Sequence, residues 1–271
     1  GTSLAYRDVG EVSPTLISLC LAFAVLMQVG ANFANDYYDF AKGADENRQL
    51  GPARAVASGI LSPRSMCVAA YVTLAFGFAL GLFLMKLSGV GWPLLAVGVA
   101  SVVCAVGYTA GPFPLAYVGL GDVFVVLFFG LVATGVTHYV LITDVRGEWT
   151  PAWWAGLAVG LVINNLLVVN NHRDAEEDAA CGKQTLVARF GRKFGVGIYL
   201  CGSCMALTVC PWRDPGLSLT VWLLPLALFL GLRLYKARSR DDYAFLLGGS
   251  AFLVMGHGTL AVAGFLAKTA G

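Results

Sequence analysis

Eight apolar stretches, each close to twenty residues long, follow one another through the chain at 14–35, 65–86, 92–109, 118–141, 152–172, 192–211, 216–236 and 244–267. About 30 Å of hydrocarbon needs roughly 20 helical residues at 1.5 Å each, so each stretch reads as a membrane helix. The expected fold is therefore all-α, a polytopic transmembrane bundle in one domain over 1–271. Composition agrees: 58% of residues are apolar and 13% charged, against about 25% charged in soluble domains. Disordered, collagen-like and disulfide-framework chains are excluded by the same figures. A net charge of +2, with no basic stretch interleaved with aromatics, gives no expectation of a nucleic-acid partner.

Residues 1–12 form a short lead with no charged segment ahead of a signal core, so the first apolar run is expected to stay in the mature protein. Most of the seven cysteines lie inside apolar runs. The Cys201/Cys204 spacing has no second pair at zinc-site distance, and both residues are expected to be small packing groups.

Two connections, 36–64 and 173–191, are longer and richer in charge than the rest. Numbered alternately, the links on one side of the membrane hold Lys42, Arg48, Arg54, Arg64, Arg173, Lys183, Arg189, Arg192, Lys193, Arg233, Lys236, Arg238 and Arg240. The other side holds Arg7, Lys86, Arg146, Arg213 and Lys268. Basic residues collect in cytoplasmic loops, so both long connections are expected to face the cytoplasm. The group Arg233, Lys236, Arg238 and Arg240 is expected to meet anionic lipid.

Each long connection opens on an acidic cluster. If the first helix continues past residue 35, Asn32, Asp36 and Asp39 share one face, and Asn35 with Asp39 makes a pair on the next stripe. At the end of the fifth helix, Asn171, Asp174 and Asp178 would share a face, with Asn164 extending that line deeper. Solvated helix ends neutralised by Lys42, Arg173 and Lys183 would account for either cluster alone. Two clusters on one membrane side, with matching spacing and each followed by basic residues, point to function, because carboxylates near hydrocarbon are costly unless paired or metal-bound. Diphosphate handling fits: Mg²⁺ commonly bridges one or two carboxylates to substrate phosphates. Bound metal offsets charge building on a leaving diphosphate, and nearby cations take the remaining oxygens.

At these motifs the sequence resembles the UbiA superfamily of intramembrane prenyltransferases. Its signatures NDxxDxxxD and DxxxD are matched by Asn35, Asp36 and Asp39, and by Asp174 and Asp178. The match is closer to the branch that prenylates 1,4-dihydroxy-2-naphthoate: NDYYDFAKGAD at 35–45, LGPARAVASG at 50–59, VNNHRDAEEDAACGKQTLVARFG at 169–191, and YTAGPFPLAYVGLGD at 108–122. Asp45 lies two residues beyond the last acid of the superfamily pattern. The family has nine helices, so the resemblance implies that the first of them lies ahead of residue 1.

The resemblance implies that Asn35, Asp36, Asp39, Asp174 and Asp178 hold Mg²⁺ and diphosphate, the four aspartates being catalytic, with Asn32, Asp45 and Asn171 beside them. Arg54 and Lys183 would contact phosphate, with Lys42 and Arg173 as further candidates. Tyr108 and Asp122 would serve the aromatic acceptor or the allylic cation. His138 and His257 are expected to be packing residues, and His172 a tolerated variant within its motif. The implied substrates are a polyprenyl diphosphate and dihydroxynaphthoate, joined with loss of CO₂ to give demethylmenaquinol. Three alternatives remain: another acceptor such as 4-hydroxybenzoate or homogentisate, an ion-coupled transporter, and a CDP-lipid transferase. A transporter would place its acids nearer mid-membrane, and the DGxxAR pattern of the CDP-lipid transferases is absent.

Overall fold

The computed structural model describes residues 1–44, 50–51, 54–146 and 152–268, and all of their regular secondary structure is helical. Helix α1 (Thr2–Val9) leads into α2 (Pro14–Ala41), α3 (Pro63–Ser88) and α4 (Trp92–Gly107). Helix α5 starts at Gly121–Val125, passes through a π-helical stretch, Val126–Val132, and continues as Ala133–Arg146. After α6 (Trp153–Arg173) come two short helices, α7 (Ala175–Ala180) and α8 (Leu186–Phe190). Helix α9 covers Arg192–Cys204, a π-helical turn at Met205–Val209, and Cys210–Arg213. Helix α10 begins as a 3-10 segment, Pro215–Leu223, and goes on as Leu224–Lys236; α11 is Arg240–Ala267.

Seven of these are long and apolar enough to cross a membrane, so the chain is an integral membrane protein. The eighth expected span, α4, has 16 residues and reaches only about 24 Å. Helix starts follow local chemistry. Ser13 and Ser62 each accept a hydrogen bond from an amide in the first turn and are followed by Pro, whose missing N–H costs nothing there. Ser239 and Asp242 cap α11 reciprocally. Large apolar side chains point outward, as lipid allows: Leu21, Val72, Phe76, Trp222 and Met255 are all exposed.

Helix α6 is the central post. It packs against α5, α9 and α11 and buries Ala155, Ala158, Val162, Val168 and Val169. Its contact with α5 depends on glycine at two facing positions. A methyl group on Gly160 would stand 2.6 Å from the Val126 carbonyl oxygen, and one on Gly130 would stand 2.6 Å from the Gly160 Cα. Backbone meets backbone here, so no side chain can yield. Gly160→Ala is expected to cost about 1–3 kcal/mol by overpacking, read as a lowered melting temperature in detergent; an unchanged melting temperature would contradict this packing.

Of the two acidic clusters, one keeps the expected geometry and the other changes it. The first cluster does lie on continuous helix, because α2 runs on to Ala41. The second does not: α6 ends at Arg173, and Asp174 sits between helices with φ −91° and ψ 8°. Consecutive helical side chains point about 100° apart. The bidentate Arg173–Asp174 pair, at 2.5 and 2.8 Å, forms where the helix has opened.

Candidate active site

Helices α2 to α6 and the segment 173–185 enclose a cavity of about 670 Å³. One end is polar. Asn32, Asn35 and Asp39 reach it from α2; Arg54 from the connection after α2; Asn171 and Arg173 from the end of α6; Asp174, Asp178, Lys183 and Thr185 from beyond. The rest is mostly apolar, lined by Phe23, Met27, Phe78, Leu94, Phe124 and Phe128 among others, with Tyr108 and Asp122 also on its wall.

At the polar end, Asp39 is the hub. The residue is 3% exposed, and its carboxylate accepts a hydrogen bond from the Tyr117 hydroxyl at 2.9 Å. Arg54 Nη2 lies 3.8 Å from its Oδ2 and Lys183 Nζ 3.7 Å. Lys183 also stands 3.8 Å from Asp178 Oδ1, so one ammonium joins the two acidic motifs. Asp178 is held from behind: its amide donates to the Asp174 carbonyl and its carbonyl accepts from the Lys183 amide, each at 2.7 Å.

The face of α2 turned to the cavity is Gln28, Asn32, Asn35 and Asp39, spaced by fours and threes. Asp36 belongs to the neighbouring stripe and is not on the cavity wall. Its carboxylate accepts the amides of Ala55 and Val56 at 3.2 and 3.5 Å, which fixes the backbone beside Arg54. Lys42 is also off the wall. It donates to the Thr109 carbonyl at 2.6 Å and lies 4.3 Å from the Tyr117 ring centroid. Burial lowers its affinity for a proton, and Asp39 partly restores it. Asp45 lies outside the described residues. His138 and His257 are buried within helices. His172 bonds Tyr243 through Nδ1 at 3.0 Å, away from the cavity.

The loop 108–120, between α4 and α5, ties these parts together. Thr109 donates its hydroxyl to Asn35 Oδ1 at 3.0 Å, and the Tyr117 carbonyl accepts the Gln184 amide at 3.0 Å. Gly119 adopts φ +81°, and a Cβ there would stand 3.0 Å from the Gln184 carbonyl oxygen. Burial, then the charge of Asp39, pushes the Tyr117 hydroxyl far above its ordinary range, so it stays a donor at any working pH. Tyr117 and Thr109 carry no signal in sequence beyond their place in the 108–122 stretch.

The donor chemistry fits Mg²⁺. Asp39, Asp174, Asp178 and the Asn35, Asn32 and Asn171 amides offer oxygens around one space, and an ammonium already bridges two of the acids. Among the described residues no three His, Cys, Asp or Glu groups converge on one point. Diphosphate oxygens and water would therefore complete the coordination, as Mg²⁺ usually requires.

A profile of the UbiA prenyltransferase family matches residues 1–266. The 1,4-dihydroxy-2-naphthoate octaprenyltransferase of Haemophilus influenzae is 35% identical over 200 residues, 71% of this chain and 62% of that protein. The Mycobacterium tuberculosis protein of the same name is 42% identical over 173 residues, 64% of this chain and 57% of the relative. The matches thus span about three fifths of these relatives' length. The solved structure of a UbiA homolog from Archaeoglobus fulgidus bound to DMAPP and Mg²⁺ is 14% identical and superposes with a TM-score of 0.56 over 96% of this chain and 94% of that one. That likeness establishes the fold.

Proposed function

The chain belongs to the UbiA prenyltransferase family, and on that premise we propose that it is an aromatic prenyltransferase, moving a polyprenyl group from its diphosphate to 1,4-dihydroxy-2-naphthoate with loss of CO₂. The observation that carries this reading is a single cavity with a carboxylate-and-cation end and a long apolar remainder. A prenyl diphosphate has the same two-part chemistry. The names of the bacterial relatives favour dihydroxynaphthoate as acceptor and an octaprenyl donor. Their organisms, with the bias of basic residues, favour a bacterial inner membrane with the polar end facing the cytoplasm.

Asp39, Asp174 and Asp178, with Asn35, Asn32 and Asn171 alongside, would hold Mg²⁺ on the diphosphate. Bound there, Mg²⁺ offsets the negative charge that grows on the leaving group. Lys183 and Arg54 neutralise oxygens on the same side, and Tyr117 keeps Asp39 oriented. Asp36 acts through the backbone by holding residues 55–56, which keeps Arg54 against Asp39. The apolar remainder of the cavity shields the allylic cation from water until the ring attacks.

The test is metal dependence. Detergent-solubilised protein stripped with EDTA is expected to form no prenylated naphthoquinol from geranylgeranyl diphosphate and dihydroxynaphthoate, and added Mg²⁺ to restore it. Full-rate product formation by the stripped protein would overturn the assignment of these carboxylates. Another aromatic acceptor is the second reading, and only an acceptor comparison separates the two.

A further inference from the structure

Deep in the cavity lies an acid that diphosphate binding does not use. Asp122, in the first turn of α5, is 7% exposed and lines the cavity. It faces the buried Asn164 of α6, whose Nδ2 donates to Asp122 Oδ1 at 3.0 Å. Among the described residues Asn164 Oδ1 is buried with no hydrogen-bond partner, and the bond from Nδ2 to Asp122 orients the amide. Nine residues of α6 separate Asn164 from Arg173, which sets this pair about 14 Å further in than the Arg173–Asp174 pair. Tyr108 lines the same cavity, with its hydroxyl against Gly121 beside Asp122. A carboxylate kept at membrane depth is costly and rarely retained without a task. The separation suits a diphosphate at one end and one fused aromatic ring beside it.

We propose that Asp122, oriented by Asn164, accepts the hydroxyl proton of the phenolic acceptor during prenyl transfer; this rests on the prenyltransferase reading above. The ring carbon supplies the electron pair for the new C–C bond. The prenyl C–O bond breaks, and its pair leaves on the diphosphate. The hydroxyl proton passes to an Asp122 oxygen as the ring oxygen becomes a carbonyl. When the carboxylate on the attacked carbon leaves as CO₂, its bonding pair restores the aromatic ring, and the ring oxygen takes the proton back. Atoms and charge balance without a further reactant. Asp122 is the catalytic residue of this step and Asn164 a positioning residue, since Asn164 acts through the carboxylate.

The test uses purified protein with Mg²⁺, geranylgeranyl diphosphate, and either dihydroxynaphthoate or its mono-O-methyl ethers. Prenylated product and geranylgeraniol are both measured. The wild type is expected to prefer the free hydroxyl over the unfavourable ether by about a hundredfold. Asp122→Asn keeps a partner for Asn164. It is expected to lower prenylation about a hundredfold, to shift product toward geranylgeraniol, and to lose the preference between hydroxyl and ether. Its affinity for a non-cleavable geranylgeranyl thiodiphosphate should stay within about twofold of wild type. Unchanged discrimination against the ether in Asp122→Asn would overturn the proposal, and so would loss of thiodiphosphate binding, which would make Asp122 part of the diphosphate site or the fold. A wild type that prenylates no aromatic acceptor would instead sink the prenyltransferase reading itself.

Discussion

Asp39→Asn is expected to lower turnover by about a hundred- to a thousandfold while the protein still folds. The size follows from what meets this carboxylate: the Tyr117 hydroxyl at 2.9 Å, Arg54 at 3.8 Å and Lys183 at 3.7 Å. Removing its charge weakens all three at the place where a leaving diphosphate must be held, and one such electrostatic contact is commonly worth that factor. Folding is spared because asparagine keeps the shape and the acceptor for Tyr117, and because Lys183 retains Asp178 at 3.8 Å. Steady-state rates at saturating Mg²⁺ check this, alongside melting temperature. A near-normal rate would remove Asp39 from the centre of the site.

Lys183→Met is expected to act chiefly on substrate affinity. The ammonium lies between Asp39 and Asp178, so in its absence two carboxylates from different helices repel across the mouth of the cavity. A hydrogen bond to a charged partner is worth about 1.5–3 kcal/mol, which corresponds to roughly a ten- to hundredfold rise in KM for the prenyl diphosphate. Dihydroxynaphthoate KM should move little, because Asp122 and Tyr108 lie deeper. A rise confined to the acceptor KM would contradict the placement of diphosphate against Lys183.

Much of this site could be read from the chain. The apolar runs gave the spans to within a few residues because lipid admits so few alternatives. The two acidic motifs, both visible in the sequence, stand on either side of Lys183 in the structure. What could not be read was direction. Asp36 and Asp39 both suited a shared helical face, yet the cavity takes the stripe of Asn32, Asn35 and Asp39, and Asp36 turns to the amides of Ala55 and Val56. That choice depends on where the next connection returns, which helical spacing does not encode. The break at Asp174 was equally hidden. No Gly or Pro marks it; the local Arg173–Asp174 pair and the turn into α7 carry it. Tyr117 was missed because a lone tyrosine in a loop has neither period nor charge, although its hydroxyl and ring contact Asp39, Lys42 and Lys183. The π-helical stretch of α5 lies against a glycine contact visible only once α5 and α6 are set side by side.

The most direct test of the central claim offers the detergent-solubilised protein Mg²⁺, geranylgeranyl diphosphate and, in parallel, carboxyl-labelled dihydroxynaphthoate or carboxyl-labelled 4-hydroxybenzoate. The expected result is release of label as CO₂ together with a prenylated naphthoquinol, and no prenylated hydroxybenzoate. Prenylated hydroxybenzoate with its label retained, and no naphthoquinol product, would contradict the assigned acceptor.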